Sequence, residues 1–269
     1  MGLVVDDLER SIELSGPPKR LVSLVPNISE LVHEFGRGQD LVGVTDFCVE
    51  PADGFTRARR LRGTKNPDVA AAIALKPDLV LANDEENRKI DIDRLEAAGV
   101  AVYVTRVRTI DDVANVIEKL AVLLDCPREG AALANTIRAV APVTPTGTRP
   151  RLFCPIWRDG AHHGEQETWW CVGTDTYAGR LLTDAGFDLV TATDDPRYPQ
   201  LLLKDVAAQQ PDVVLLPDEP YPFSEADQAM FAAWPGTTVL PYAGTDLFWW
   251  GSRTPQARQA LRALNRSPR

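Results

Sequence analysis

Short, wholly apolar runs alternate with amphipathic stretches along most of the chain. LVSLV (21–25), LVGV (41–44), LVLA (79–82) and VAVYVT (100–105) are too short for helices and offer no polar face. That is the pattern of parallel strands covered on both sides. Between them the spacing predicts a helix capped by Ser29, running to about Phe35 and closed by Gly36. Two more helices are predicted over 67–75, with Pro67 in the first turn, and over 90–98. The stretch 109–141 differs: Val113, Val116, Ile117, Leu120, Leu123 and Leu124 keep helical spacing, and Pro127 opens a second helix through Ala131, Leu133, Ala134, Ile137 and Val140. PVTPTGTRP (142–150) is the one Pro/Gly/Thr-rich stretch, and from Arg151 the strand-helix order starts again.

The second half echoes the first. ALKPDLVLANDEE (74–86) matches AAQQPDVVLLPDE (207–219) when Pro77 is set on Pro211; Lys19-Arg20-Leu21-Val22 matches Pro150-Arg151-Leu152-Phe153; AGVAVYV (98–104) matches PGTTVLPY (235–242) through Gly99 and Gly236. Three anchors in the same order predict an α/β chain of two lobes with like topology. The expected divisions are an N-terminal lobe over 1–108, a stiff helical connector over 109–149 and a C-terminal lobe over 150–269.

Composition narrows the function classes. The 269 residues are 44% hydrophobic and 25% charged, ordinary for globular domains. A net charge of −9, with no basic block, argues against a nucleic-acid partner. No stretch approaches the roughly 20 apolar residues of a membrane span. MGLVVDDLERSIEL has no basic leader region, long apolar run or small-residue cleavage site. The sequence as it stands therefore reads as cytoplasmic, and as extracytoplasmic if a leader has been removed. Cys48, Cys126, Cys154 and Cys171 form no C-x-x-C pair and are expected as buried free thiols.

No phosphate-binding glycine loop, nucleophile elbow or metalloprotease helix is present, and no catalytic residue is assigned. His33 reads as a packed residue on a helix. His162, His163 and Glu165 are a candidate zinc set, although adjacent histidines rarely reach one ion together. Asn27-Ile-Ser29 fits a glycosylation triplet but falls at a predicted helix cap. Aromatic residues stand out more. All six tryptophans (157, 169, 170, 234, 249 and 250) lie in the second half, with Tyr198, Tyr221, Phe223 and Phe248 among them. They flank predicted strand ends, where open α/β sheets bind ligands, and aromatic walls favour large flat ligands. In a strand, one tryptophan of each tandem pair would be core and its neighbour exposed. The matching first-half loops DFCVEP, GTKNP and NDEENRK are polar, and Arg197 and Arg253 could meet an anionic group.

Through RLVSLVPNISELVHEFG, LVGVTDFCVEP, ALKPDLVLA and LFWWGSRTP the chain resembles the ABC-transporter solute-binding proteins with a single helical backbone (class III), specifically their cobalamin and iron-siderophore branch. With three histidines in all, it fits the zinc branch less well. The resemblance implies two Rossmann-like lobes joined by a rigid backbone helix. It implies a bulky metal-containing ligand between them (a cobalamin or other corrinoid, haem or a ferric siderophore), with no protein ligand to the metal and no further cofactor. By position, Phe47, Cys48, Asn66 and Glu86 fall on the first-lobe wall, and Trp157, Trp170, Tyr198, Tyr221, Phe248 and Trp249 on the second, with Arg253 beside it. The family docks an ABC permease through one carboxylate per lobe. Asp205 fills that position in the second half, whereas Ala70 stands there in the first, with Asp68 nearby. Two other readings stay open: an enzyme on a related two-lobed scaffold, taking a nucleotide-sugar or a metal cluster held by Cys48, Cys154 and Cys171, and a zinc-binding protein.

Overall fold

The computed structural model describes residues 2–144, 147–160, 166–191 and 196–266. The chain divides into two compact units, residues 1–107 with 111–138, and residues 108–110 with 139–269.

The first unit opens with a hairpin, β1 (Leu3–Val5) and β2 (Ser11–Glu13), which the sequence pattern did not suggest. Its turn is tied to the sheet behind it. The Asp6 carboxylate accepts the N–H groups of Leu8, Arg10 and Val104 at 2.9, 3.0 and 3.2 Å, and Arg10 Nη2 donates to the Val102 carbonyl at 3.2 Å. There follow β3 (Leu21–Ser23), α1 (Pro26–Val32), β4 (Leu41–Val44), and the two-residue β5 (Arg59–Arg60), β6 (Arg62–Gly63) and β7 (Asn66–Pro67). Then come α2 (Val69–Ala74), β8 (Leu79–Asn83), α3 (Lys89–Ala97), β9 (Val102–Thr105), α4 (Ile110–Leu123) and α5 (Pro127–Arg138). The main sheet is all parallel, in the order β5-β4-β3-β8-β9.

Alternation along the strands sends Val22, Val80, Ala82, Val102 and Val104 to one face, where they pack with Ala71, Ala72, Ile92 and Leu95 of α2 and α3. The intervening Leu21, Leu79, Leu81 and Tyr103 are equally buried. Each such aliphatic side chain contributes about 1.5–3 kcal/mol on burial. Residues 111–138, expected within a connector over 109–149, have their contacts inside this unit.

Two boundaries move. Pro26, not Ser29, opens α1, because proline's fixed φ suits a first turn. Ser29 sits inside, and its hydroxyl donates to the Val25 carbonyl at 3.1 Å. Pro67 belongs to β7, and Asp68 caps α2 by accepting the Ala71 N–H at 3.0 Å.

The second unit holds β10 (Arg151–Phe153), β11 (Pro155–Arg158), β12 (Thr168–Cys171), α6 (Tyr177–Asp184), β13 (Asp188–Leu189), β14 (Gln200–Leu202) and α7 (Leu203–Ala208). It continues with β15 (Val213–Pro217), α8 (Glu225–Ala232), β16 (Thr238–Tyr242), α9 (Gly244–Phe248) and α10 (Thr254–Arg266). Its parallel sheet runs β13-β10-β15-β16. The first unit has the same progression in β4-β3-β8-β9, so the sequence echo is a repeat of topology.

The anchors of that echo have identifiable physical roles. Asp78 accepts the N–H groups of Lys19 and Arg20 at 2.8 and 2.9 Å, and Asp212 accepts that of Arg151 at 2.7 Å. Each Pro-Asp pair thus ties the strand it opens to the first strand of its own sheet. Gly99 and Gly236 hold φ of 78° and 76°, the left-handed conformation that glycine adopts without Cβ strain; Gly99 ends α3, and Gly236 lies in the turn between α8 and β16. The second unit departs from the repeat by adding an antiparallel sheet, β11-β12-β14, which carries three of the tryptophans.

Candidate functional site

Loops leaving the C-terminal ends of the parallel strands carry most of the residues singled out in the second unit. Trp157 lies on β11, just past the end of β10. Tyr221 lies in the loop after β15, and Phe248, Trp249 and Arg253 follow β16 through α9. The two loops touch: the Gly244 N–H donates to Asp218 Oδ1 at 2.7 Å. A Cβ on Gly244 would stand 2.3 Å from the Glu219 side chain, so only glycine fits there.

Trp157 and Trp170 are paired across β11 and β12, and are 49% and 40% exposed. Opposed residues in an antiparallel pair share a face, so two large aromatic surfaces stand side by side toward solvent. Trp169, on the other side of β12, is fully buried. It stacks on Phe223 (5.6 Å, 8°), meets Tyr221 edge-on at 5.5 Å, and donates its indole N–H to Glu167 Oε1 at 2.8 Å. Tyr221 also meets Trp157 edge-on at 5.7 Å, joining the exposed surface to the core beneath. Arg158 lies 5.7 Å above the Trp169 ring and pairs with the buried carboxylates of Glu167 and Asp227 at 3.1 and 3.3 Å. This arginine, which sequence reasoning missed, holds the aromatic platform from below. Its alternation with Trp157 is the one local signal for it, because the acids it pairs with lie 9 and 69 residues away in the chain.

Tyr198 and Phe248 are half-buried. Trp249 is 9% exposed, with the Arg253 guanidinium 5.3 Å from its ring and 3.6 Å from Asp246. Trp250 is 7% exposed, so this pair, at a helix end, does not divide into an inner and an outer ring. Tyr242 lies above Asp246; burial, then that negative charge, push its hydroxyl up to about 12.

In the first unit Phe47 and Asn66 are exposed and Glu86 is half-buried. Phe47 and Glu86 follow strand ends, and Asn66 opens β7. The neighbouring Val49, 54% exposed, adds an apolar side chain that the polar look of DFCVEP had hidden. Cys48 must be removed from the wall. It has no exposed surface, and its thiol sits 3.1 Å from both the Ser29 and Thr45 hydroxyls. Burial pushes that thiol's pKa up, so it stays protonated. Asn83 and Asn87 also work inward: Asn87 Nδ2 donates to the Leu24 and Thr64 carbonyls at 3.2 and 2.9 Å, tying three loops together.

The other candidates resolve unevenly. All four cysteines are buried and free. Among the described residues no group of three His, Cys, Asp or Glu could hold a metal ion, which removes the cysteine-cluster reading there. His162, His163 and Glu165 lie outside the described residues. His33 is exposed, with its ring in a T-shaped contact with Phe55 at 6.2 Å. Asp205 and Ala70 are both exposed. No helix among the described residues is long and apolar enough to cross a membrane.

Comparison with known proteins gives one consistent result. The vitamin B12-binding protein of Vibrio parahaemolyticus is 25% identical over 257 residues, covering 91% of this chain and 87% of that one. The solved periplasmic vitamin B12 binding protein BtuF of Vibrio cholerae superposes with a TM-score of 0.73 at 21% identity, over 92% of this chain and 96% of that one. The periplasmic heme-binding protein BhuT, solved with two hemes, superposes equally well at 26% identity, over 92% and 97%. The description of the periplasmic binding protein family matches residues 21–233, and with most of its length so matched this chain belongs to that family.

Proposed function

We propose that this protein binds a bulky metal-containing small molecule, with a cobalamin as the first candidate and haem or a ferric siderophore as the alternatives within the same class. The observation that carries this reading is the paired, solvent-facing Trp157 and Trp170, backed by Tyr221 and the Arg158 network. Two indoles on one face of the sheet offer apolar area to a macrocycle, at little entropic cost because each has only two side-chain torsions. The relatives named for vitamin B12 and heme support the same class.

In this reading Trp157, Trp170, Tyr198, Tyr221, Phe248 and Trp249 supply the apolar contacts, and Arg253 meets an acidic or amide group at the ligand's edge. The protein needs no cofactor of its own and performs no chemistry on its ligand. Family membership supports a location outside the cytoplasm, against the reading of the N-terminal residues, and an ABC permease as partner. Asp205 is its contact in the second unit, and Ala70 leaves the first without the equivalent acid.

The test is mass spectrometry of small molecules released from protein purified from its native host without added ligand. A corrinoid, haem or iron chelate in near-equal amount with protein is expected. A nucleotide-sugar, or a small amino acid or sugar, in that amount would overturn the reading.

A further inference from the structure

The aromatic face of the antiparallel sheet carries a polar edge that the contacts proposed above leave unused. Trp157 on β11, Trp170 on β12 and Gln200 on β14 are opposed in one row across the three strands. Opposed residues share a face and stand about 5 Å apart at Cβ, so an exposed amide lies beside the two exposed indoles. Two residues further along each strand, the same face holds Asp159, Thr168 and Leu202. The Asp159 N–H donates to the Thr168 carbonyl at 3.0 Å, which carries the pairing one residue past the end of β11. The alternate row turns the other way, and its Trp169 and Leu201 pack in the core.

Three hydrogen bonds hold the amide. Gln200 Nε2 donates to Asp159 Oδ2 at 2.7 Å and to Thr168 Oγ1 at 3.0 Å, and the Thr168 hydroxyl donates to the same Asp159 oxygen at 3.3 Å. A carboxylate accepts, so the amide turns its nitrogen toward Asp159, and both N–H groups of a primary amide are then spent. The Thr168 hydroxyl has likewise given away its one proton. Gln200 Oε1 has no partner among the described residues. The apolar wall is therefore edged by an acceptor with no donor to spare.

Such a group discriminates by proton inventory. A ligand edge bearing N–H groups gains a hydrogen bond there, whereas a carboxylate edge meets an oxygen lone pair with the Asp159 carboxylate behind it. The candidate ligands divide on this point: the peripheral carboxamides of a cobalamin donate, and the propionates of haem only accept. We infer that Gln200, positioned by Asp159 and Thr168, sets the ligand class of the aromatic site by accepting an N–H from an amide-edged macrocycle, and so favours a corrinoid over haem. This rests on the aromatic face being where the ligand binds, as proposed above.

Equilibrium dialysis of the full chain against two matched pairs tests it: cyanocobalamin with its peripheral monocarboxylates, and the bis-amide of haemin with haemin. At least one monocarboxylate is expected to bind about tenfold more weakly than cyanocobalamin, and the bis-amide about tenfold more tightly than haemin. Gln200→Leu should weaken the amide ligands about fivefold, the value of one neutral hydrogen bond, and leave the carboxylate ligands within about twofold. A purely structural Gln200 would instead weaken every ligand alike. Asp159→Asn can donate as well as accept, so it lets the amide turn over and should narrow the same gap from the carboxylate side; a gap unchanged there would overturn the part given to Asp159. No preference for amide edges in the parent, or a gap unchanged in Gln200→Leu, would overturn the inference and leave the functional reading standing. Binding of none of these ligands would also overturn it, and the functional reading falls with it only if a ferric hydroxamate is not retained either.

Discussion

At β12 the two-residue period of the strand turns Trp169 wholly inward and leaves Trp170 40% exposed. The two should respond oppositely to truncation. Trp169→Ala removes a ring packed against Tyr221, Phe223 and Phe231 and leaves Glu167 without its indole donor. A loss of about 3–5 kcal/mol in urea unfolding is expected. Trp157→Ala and Trp170→Ala should each cost under about 1 kcal/mol in the same experiment, yet weaken ligand binding about tenfold, as truncating an exposed aromatic anchor does. The sequence offered this alternation for either tandem pair only if it lay in a strand, and Trp169 and Trp170 do. Trp249 and Trp250 do not, because their environment is set by where a five-residue helix ends. Cys48 was misplaced for a similar reason: its pocket is made by Ser29 and Thr45, and no local pattern announces that contact. With all four thiols buried, a thiol-reactive dye should label none of them quickly in the folded protein and four per chain in denaturant. Rapid labelling of the native state would contradict the packing described.

The repeat is written at the level of elements, in Pro-Asp pairs and left-handed glycines before the last strand of each parallel sheet. Asp78 receives two backbone N–H groups and Asp212 one. Removing either carboxylate unties a strand start that has no other side-chain acceptor at those N–H groups among the described residues. Asp78→Ala and Asp212→Ala are each expected to cost about 1–2 kcal/mol in chemical denaturation, with Asp78 the larger. A neutral result for both would mean that the echo reflects composition alone. The four core strands of the first unit and their helices were legible because apolar runs and helical spacing are long-period signals. The N-terminal hairpin and the β11-β12-β14 sheet were not. Their strands are three or four residues long and mix polar with apolar side chains, too short for a period of two to stand out, and β14 pairs with β12 some thirty residues before it. The antiparallel sheet is the costlier omission, since it carries the two exposed tryptophans.

For the molecule as a whole, the α/β class and the two-fold repetition followed from the order of elements, which short parallel strands and their crossover helices make nearly unambiguous. The site was only half visible. Strand-end loops could be named from the sequence, but which of their residues face solvent depends on packing. Exposed Asp205, on the first turn of α7, makes none of the aromatic contacts assigned to the ligand. Asp205→Ala should therefore leave ligand affinity unchanged while lowering uptake when a cognate permease is supplied. The ligand class itself is tested most directly by calorimetric titration of the purified chain with cyanocobalamin, alongside the Trp157→Ala/Trp170→Ala double variant, with haemin and a ferric hydroxamate as parallel ligands. The account predicts saturable one-to-one binding of at least one of the three, weakened about tenfold or more in the double variant, since truncations at paired neighbours do not simply add. No heat with any of them, or equal affinity in parent and variant, would contradict it.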